Sequence, residues 1–498
     1  MVKPVVCTAI AAVIGFYVLS SVHDVITIIV LLLSIIILSL FNVLTSIGEH
    51  IEKEFVRSFR IMAVCCTAFA AGLVIGLCAN EAGKNIIRFG IEENRITGIE
   101  GVLLEDPRVL PGGSIMAAVS LRESFSANSS NLSGMQESVR VSSSGEITLF
   151  FPQENLARLR EFGRGTRIFA EGNLRSTEHL RYSGWSFSAY SLHITQPAPA
   201  IEQMRTNIRL NLLERFDGKQ WGGLALALLV GIRDNLDSGL TAAYRDAGIA
   251  YVLALSGMHL AIIAAVIAFL LKKPLGLKAA SITGAVIISL YCLFVGPMPS
   301  LIRSAIMYLL GVIAVLGALP KKSIPILSLA FLIQIIVMPS SGNTISFMLS
   351  YLALLGILIT SRHVVCIFRG LIPDFVLQPF AMSVGAFLAT AAICSFFFGF
   401  IAPIGIIVSL VIIPLITIFM IGSMIWLVLD LLSISFILDF PLLWIYRLME
   451  MVISIAGNVP GIRADPFIVL VVSLVLLALI TFLDFRRREG ILKLKPFS

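Results

Sequence analysis

Ser256-Gly257-Met258-His259 puts a hydroxyl and an imidazole three residues apart at the head of an apolar segment. On a helix that spacing stacks the two side chains on one face, the arrangement a base-assisted serine nucleophile uses. No carboxylate is evident to orient the imidazole, so the third member of a hydrolase triad is missing. The same residues can instead be polar groups held at membrane depth, and Arg303, opening a later apolar run, has that character too. An ionisable side chain in a span is unfavourable by roughly 3 kcal/mol on insertion scales unless it finds water or a partner. Ser256, Gly257, His259, Arg303 and Ser350 are therefore candidates for lining a polar path. Hydrogen bonding between helices is the competing account of them, and of Gln334, Ser409, Arg447 and Glu450, which are scattered through other apolar runs.

A second constellation lies upstream. Between Arg140 and Arg215 every positive side chain is arginine, and Phe150, Phe151, Phe169, Tyr182, Trp185, Phe187 and Tyr190 interleave with Arg164, Arg167, Arg175 and Arg181. Guanidinium on phosphate and rings on bases is the chemistry of single-stranded nucleic-acid binding. Arg164, Arg167, Trp185 and Phe187 are the candidates for it, although interspersed glutamates dilute the charge. A barrel core with a solvated face would give the same pattern. No HExxH, Walker A, GxSxG or CxxC pattern occurs, and the seven cysteines have no metal spacing. The sequence thus points to no enzyme, no catalytic residue, no metal and no cofactor, and any transport must draw on a gradient or on another protein's motor.

The elements that position these residues are set by composition. Of 498 residues 57% are hydrophobic and 13% charged, with a mean hydropathy of +0.95. Soluble proteins carry roughly 25% charged residues, so most of this surface must face lipid. Apolar runs of spanning length predict helices at 4–22, 25–44, 61–79, 250–271, 279–296, 301–319, 324–338, 345–360, 377–398, 402–428, 440–457 and 466–484, about twelve spans, the shortest of them tilted or re-entrant. Breakers at Gly296-Pro297-Met298-Pro299, Pro403 and Pro414 suit helices that line a cavity. Lys53, Arg57 and Arg60, then Lys272, Lys273 and Lys278, then Lys321 and Lys322, then the tail from Arg486 to Lys495 all fall on one side if the N-terminus is cytoplasmic. An even number of spans returns the C-terminus to the same side, and residues 80–249 lie outside the cytoplasm.

From Arg95 to Thr195 the pattern changes to strands: RITGIEGVLLEDP, SIMAAVSL, EITLFF, TRIFAEGNL and WSFSAYSLHIT, with a helical PQENLARLREFG between the third and fourth. Five strands and a helix suit a small Greek-key barrel of the OB type. SFSANSSNLSGMQESVRVSSSGE reads as a loop between two strands. IEQMRTNIRLNLLERF is amphipathic, with Ile201, Met204, Ile208, Leu212 and Phe216 on one face and arginines on the other. It either lies on the bilayer or packs on the bundle. The expected fold is a polytopic α-helical membrane protein with an inserted all-β, OB-like extracytoplasmic domain. Its parts are N-terminal spans at 1–80, the β domain at 81–199, amphipathic or re-entrant helices at 200–249 and the main bundle at 250–498.

LALALLVGIRDNLDSGLTAAYRDAGIAYVLALSGMHLAII resembles the signature of the ComEC/Rec2 competence family, matching at Gly231, Gly248, Ile249, Leu253, Ala254, Ser256, Gly257 and His259. LIRSAIM (Arg303, Met307), FMLSYLALLGI (Phe347, Leu349, Ser350, Gly356) and APIGIIVSLVIIPL (Pro403, Pro414) resemble its later spans. The family usually has His where Tyr251 stands, Gln where Met348 stands and Asn where Ser409 stands. Many members continue into a metallo-β-lactamase-like nuclease domain, which makes this chain similar to a short form. The resemblance implies uptake of single-stranded DNA through the bacterial inner membrane during natural transformation. Its implied partners are DNA, membrane lipid, a DNA receptor and a cytoplasmic motor or helicase, with a homo-oligomer left open. The alternatives are a gradient-driven transporter or exporter of another solute on the same bundle, and a polysaccharide- or peptide-binding outer domain.

Overall fold

The computed structural model describes residues 87–109, 114–127, 138–151, 163–176, 185–233, 235–296, 298–319 and 322–488. The spans expected at 4–22, 25–44 and 61–79, the helical stretch at 152–162, four of the cysteines and the end of the basic tail lie outside the described residues. The chain divides into two compact units, one of residues 1–82, 227–231 and 239–498 and one of residues 83–226 and 232–238.

The smaller unit is a barrel. Its strands are β1 (Gly98–Leu103), β2 (Arg108–Val109), β3 (Ile115–Ala127), β4 (Ser138–Phe151), β5 (Arg167–Ser176) and β6 (Trp185–Gln196). β1 pairs with both β3 and β5, so the pairing closes into a ring β1-β3-β4-β6-β5-β1, with β2 hanging on β3. The β4–β6 pairing is parallel and the other four ring pairings are antiparallel. Alternation drives the closure. Ile147, Leu149 and Phe151 on β4 point inward with Ile115, Ala117 and Val119 on β3, and with Ile99, Ile168, Ala170 and Phe187 they form one buried core. The segment read as a Ser-rich loop is mostly strand: Phe125 pairs with Arg140, and Ser124 is hydrogen-bonded to Ser143. Serines that look like loop residues in isolation are tolerated in strands where a facing hydroxyl satisfies them.

After β6 the chain forms α1 (Ala200–Phe216). Its arginine face turns toward the barrel. Arg205 and Arg209 both reach Asp106, at 2.8 and 3.2 Å, and Glu202 pairs with Arg205 at 3.0 Å. Ile201, Met204 and Ile208 are left exposed.

The larger unit holds the apolar helices: α4 (Gly257–Val295), α5 (Pro299–Leu316), α6 (Ser323–Val337), α7 (Ile345–Phe368), α8 (Asp374–Phe398), α9 (Ile404–Leu431), α10 (Phe436–Gly457) and α11 (Pro466–Arg488). The short α2 (Gly222–Val230) and α3 (Ser238–Asp246) precede them. Six of the described helices are long and apolar enough to cross a membrane, which makes this a multi-pass membrane protein. α4 bends at Gly276 (φ 74°), next to Pro274. At 1.5 Å per residue a helix of this length would run to about 58 Å, roughly twice a bilayer core, so the bend makes it a hairpin of two passes. Lys272, Lys273 and Lys278 are exposed around that bend. Elsewhere Gly356 of α7 faces Gly385 of α8, and a methyl built on Gly385 would lie 2.8 Å from the Gly356 carbonyl oxygen.

Candidate functional site

Four helix ends meet at the end of the larger unit away from the lysines. They are the starts of α4, α5 and α7 and the finish of α6. Ser300 of α5 lies 3.2 Å from Ser346 of α7, hydroxyl to hydroxyl, and the Gln334 side-chain amide of α6 donates to the Pro299 carbonyl at 3.0 Å. Tyr351 of α7 donates its phenol to the Gln334 side-chain oxygen at 2.9 Å. A buried amide therefore ties three helices, because its donor and acceptor are each used.

Ser256 and His259 form a capping box at the start of α4. The Ser256 oxygen accepts from the His259 main-chain N–H, and His259 Nδ1 accepts from the Ser256 N–H at 3.1 Å. An Nδ1 that accepts leaves the proton of the neutral ring on Nε2, and that buried nitrogen has no hydrogen-bond partner among the described residues. The Ser256 hydroxyl also lies 3.0 Å from Nδ1; the pair is first a helix start, with histidine where glutamate or glutamine usually stands, and among the described residues no carboxylate orients the imidazole.

Arg303 is 6% exposed. Its Nη2 donates to Ser304 Oγ at 3.3 Å, while Nε and Nη1 have no partner. The guanidinium sits over the Tyr351 ring, 5.8 Å from its centre, within cation–π range. Among the described residues no carboxylate reaches it. Gly257 makes the approach possible: a Cβ there would come within 2.9 Å of Nη2 and 2.7 Å of Ser304 Oγ. Ser350, half-buried, precedes Tyr351 on α7. Ser256, Gly257 and Arg303 are thereby brought together, with Ser304 and Tyr351 as members that sequence reasoning did not single out, while Ser350 is placed only as the half-buried neighbour of Tyr351 on α7. The signal that could have found Tyr351 is its place beside Ser350 in an otherwise apolar run.

The barrel candidates come out differently. Phe187 is fully buried in the core, so it is not a stacking surface; a base could reach it only by opening the barrel. Trp185 is half-buried, edge-on to Phe89 with centroids 5.8 Å apart. Arg167 pairs with Glu100 at 3.3 Å, and Arg164 lies 4.0 Å from Glu202 while its main-chain N–H is held by Asp106. Arg140 contacts both Glu123 and Glu100. Glu146 is held above the ordinary carboxylate range, first by burial and then by the charge of Glu105.

The model of the family described as "Competence protein" matches residues 228–487, just over half of the chain. The chain belongs to the competence protein family. All of the polar groups converging on Arg303 fall inside the matched range, and the barrel falls outside it. An uncharacterised protein of Aquifex aeolicus (strain VF5) is 27% identical over 265 residues, covering 52% of this chain and 59% of that relative. The match therefore spans less than two thirds of the relative's length.

Two departures from the family pattern meet in space. Tyr251 and Ser409 are hydrogen-bonded, hydroxyl to hydroxyl, at 3.0 Å. Where the family usually has His and Asn, this chain keeps a polar pair of a different kind. Gly248, another family position, has φ 74° and packs against α9's approach; a Cβ would meet Ala402 at 2.7 Å.

Proposed function

We propose that this competence-family protein carries single-stranded DNA across the bacterial inner membrane, along a route that starts at the polar end of α4, α5, α6 and α7. The observation that carries the reading is Arg303: a buried arginine in a membrane helix, inside the family match, with no carboxylate among the described residues to neutralise it. A polyanion supplies the missing negative charge one phosphate at a time. Ser256, Gly257, His259, Arg303 and Ser350 line the route, and the role is transport. Energy comes from a gradient or from a cytoplasmic motor, and a DNA receptor hands over the strand.

The lysines at the α4 bend and before α6 favour the cytoplasm. That orientation puts the polar end, and with it the mouth of the route, on the outer side. The same rule places the barrel outside and both termini inside, with the N-terminal runs bringing the count to about twelve spans. The β1-β3-β4-β6-β5 ring with its one parallel pairing supports an OB-type barrel. The domain boundaries at 81–199, 200–249 and 250–498 go with that plan.

The test is transformation in a naturally competent host lacking its own family member. The full-length gene restores colonies from added DNA, and Arg303→Ala returns them to background with protein still in the membrane. Restoration by the variant at the wild-type level removes Arg303 from the route. For orientation, Ser142→Cys, at an exposed position of β4, is labelled by an impermeant thiol reagent from outside; labelling only after the cytoplasmic face is opened reverses the topology.

A further inference from the structure

We propose that the N-terminus of α4 and the Arg303 guanidinium form a resident site for one phosphate-class oxyanion, occupied whether or not DNA is present. It rests on the uptake reading for the choice of anion and on geometry for the existence of a site.

Two positive ends lie side by side here. The start of a long helix carries roughly half a positive charge on main-chain N–H groups that have no partner within the helix. α4 begins at Gly257, and the Ser256–His259 capping box engages the His259 N–H and so leaves the Gly257 and Met258 N–H groups to be met from elsewhere. Beside that end stands Arg303, with Nη2 so close to Gly257 that a methyl group would not fit at ordinary contact distance. A cation against the positive end of a helix is the wrong sign of pairing, and burial makes it worse. Neither Nε nor Nη1 has an acceptor, and among the described residues no aspartate or glutamate reaches the group. The Tyr351 ring and Ser304 Oγ soften the field without neutralising it.

An oxyanion resolves both demands at once. Helix N-termini bind phosphate and sulfate readily, and the planar fork of arginine donates two parallel bonds to such an anion. The absence of a side chain at residue 257 leaves main chain and guanidinium able to hold the same group. Free phosphate and the phosphodiester of a passing strand share this chemistry, so the site serves as a stepping point where a strand displaces inorganic anion and is displaced by it in turn.

The test uses the full chain purified in phospholipid-free detergent, with radiolabelled inorganic phosphate as probe in equilibrium dialysis and gluconate as the ionic-strength control. The expected result is one phosphate per chain, with a phosphate-dependent rise in melting temperature. Arg303→Gln loses the binding and the rise; Arg303→Lys keeps the charge without the fork and binds at least tenfold more weakly. Retention of phosphate by Arg303→Gln at wild-type affinity overturns the proposal, as does failure of the wild type to bind any phosphate. If Arg303→Gln does not fold, Arg303→Lys and the wild-type stoichiometry decide. Oligothymidylate is then added to the loaded wild type. Displacement of phosphate places the site on the DNA route. Binding of phosphate that oligothymidylate does not displace leaves the anion site standing and takes the route away from Arg303, so failure of the site and failure of the uptake reading are told apart.

Discussion

In the barrel, Arg140 and Arg167 share Glu100, and Arg205 and Arg209 share Asp106. In the helical unit, Arg303 shares a hydroxyl and an aromatic face, and among the described residues no carboxylate comes near. Arginine in the first setting is a cross-link: it fastens β1 to its neighbours and α1 to the barrel, and its charge is cancelled locally. In the second it is a charge without a counterpart. Counting arginines and aromatics along the sequence favours the barrel as the place where an anion binds, whereas accounting for each charge favours the helices.

The largest effect expected from pressing on this contrast is at Phe187. Phe187→Ala should remove about 3–5 kcal/mol, the usual loss for a buried phenyl group, and show as loss of the barrel's cooperative melting in the full-length protein. A variant that melts like wild type yet binds oligonucleotide less well would restore Phe187 as a stacking surface and undo the distinction.

Next comes a direct contest between two arginines. Arg303→Gln should lower DNA uptake by roughly tenfold or more, since hydrogen bonds to charged groups contribute about 1.5–3 kcal/mol. Arg167→Gln, whose charge already faces Glu100, should leave uptake within about threefold, a difference of less than 1 kcal/mol. Transformation frequency normalised to membrane protein level decides it. Equal losses would mean that cancellation by glutamate does not matter.

A third change moves the first setting toward the second, although Arg205 keeps Glu202. Asp106→Asn takes the carboxylate from Arg205 and Arg209 together. It should weaken the α1 attachment by about 1–2 kcal/mol, read as a lower melting temperature. It should also steepen the salt dependence of oligonucleotide binding by roughly 0.7 in logarithmic slope for each phosphate newly engaged. An unchanged slope would mean that the arginines remain occupied without Asp106.

The smallest effect concerns pH. Glu146 holds its proton more tightly in the folded barrel than an exposed glutamate does. The folded state therefore carries more proton than the unfolded one above the ordinary carboxylate range, and the barrel's stability falls as pH rises from about 4.5 through the raised folded value. Glu146→Gln should flatten that slope in melting experiments between acidic and neutral pH. A slope unchanged in the variant would assign it to another group.

Much of this architecture was legible. Apolar runs gave the helices from 250 onward, alternation gave the strands, and the Ser256–His259 spacing marked a special place. What the residues did there was less legible. A serine followed three residues later by histidine satisfies a helix start as well as it suggests a reactive pair, and the structure holds both contacts, since Nδ1 accepts from the Ser256 N–H and lies 3.0 Å from the Ser256 hydroxyl; what the pair lacks among the described residues is a carboxylate to orient the imidazole. The sequence put Ile201, Met204 and Ile208 on the face of α1 that seeks apolar contact. The structure turns the arginines toward the barrel instead, because Asp106, close to a hundred residues upstream, binds them. No periodicity within a helix can report a partner that far away. The Ser-rich stretch misled for a related reason, since Ser124 is satisfied by Ser143 across a hairpin and not by solvent.

The contact between Gly356 and Gly385 has a consequence for movement. With main chain against main chain there is no cushion of side chains to shear, so α7 and α8 behave as one beam and cannot roll on each other. Tyr351, whose ring faces the Arg303 guanidinium, belongs to that beam. On the proposed uptake route, opening a passage for a nucleotide then falls to the α4 hairpin, whose bend at Gly276 would meet nothing among the described residues within 4 Å even with a methyl group added. Stapling α7 to α8 should leave transport intact, whereas stapling the two arms of the hairpin should stop it.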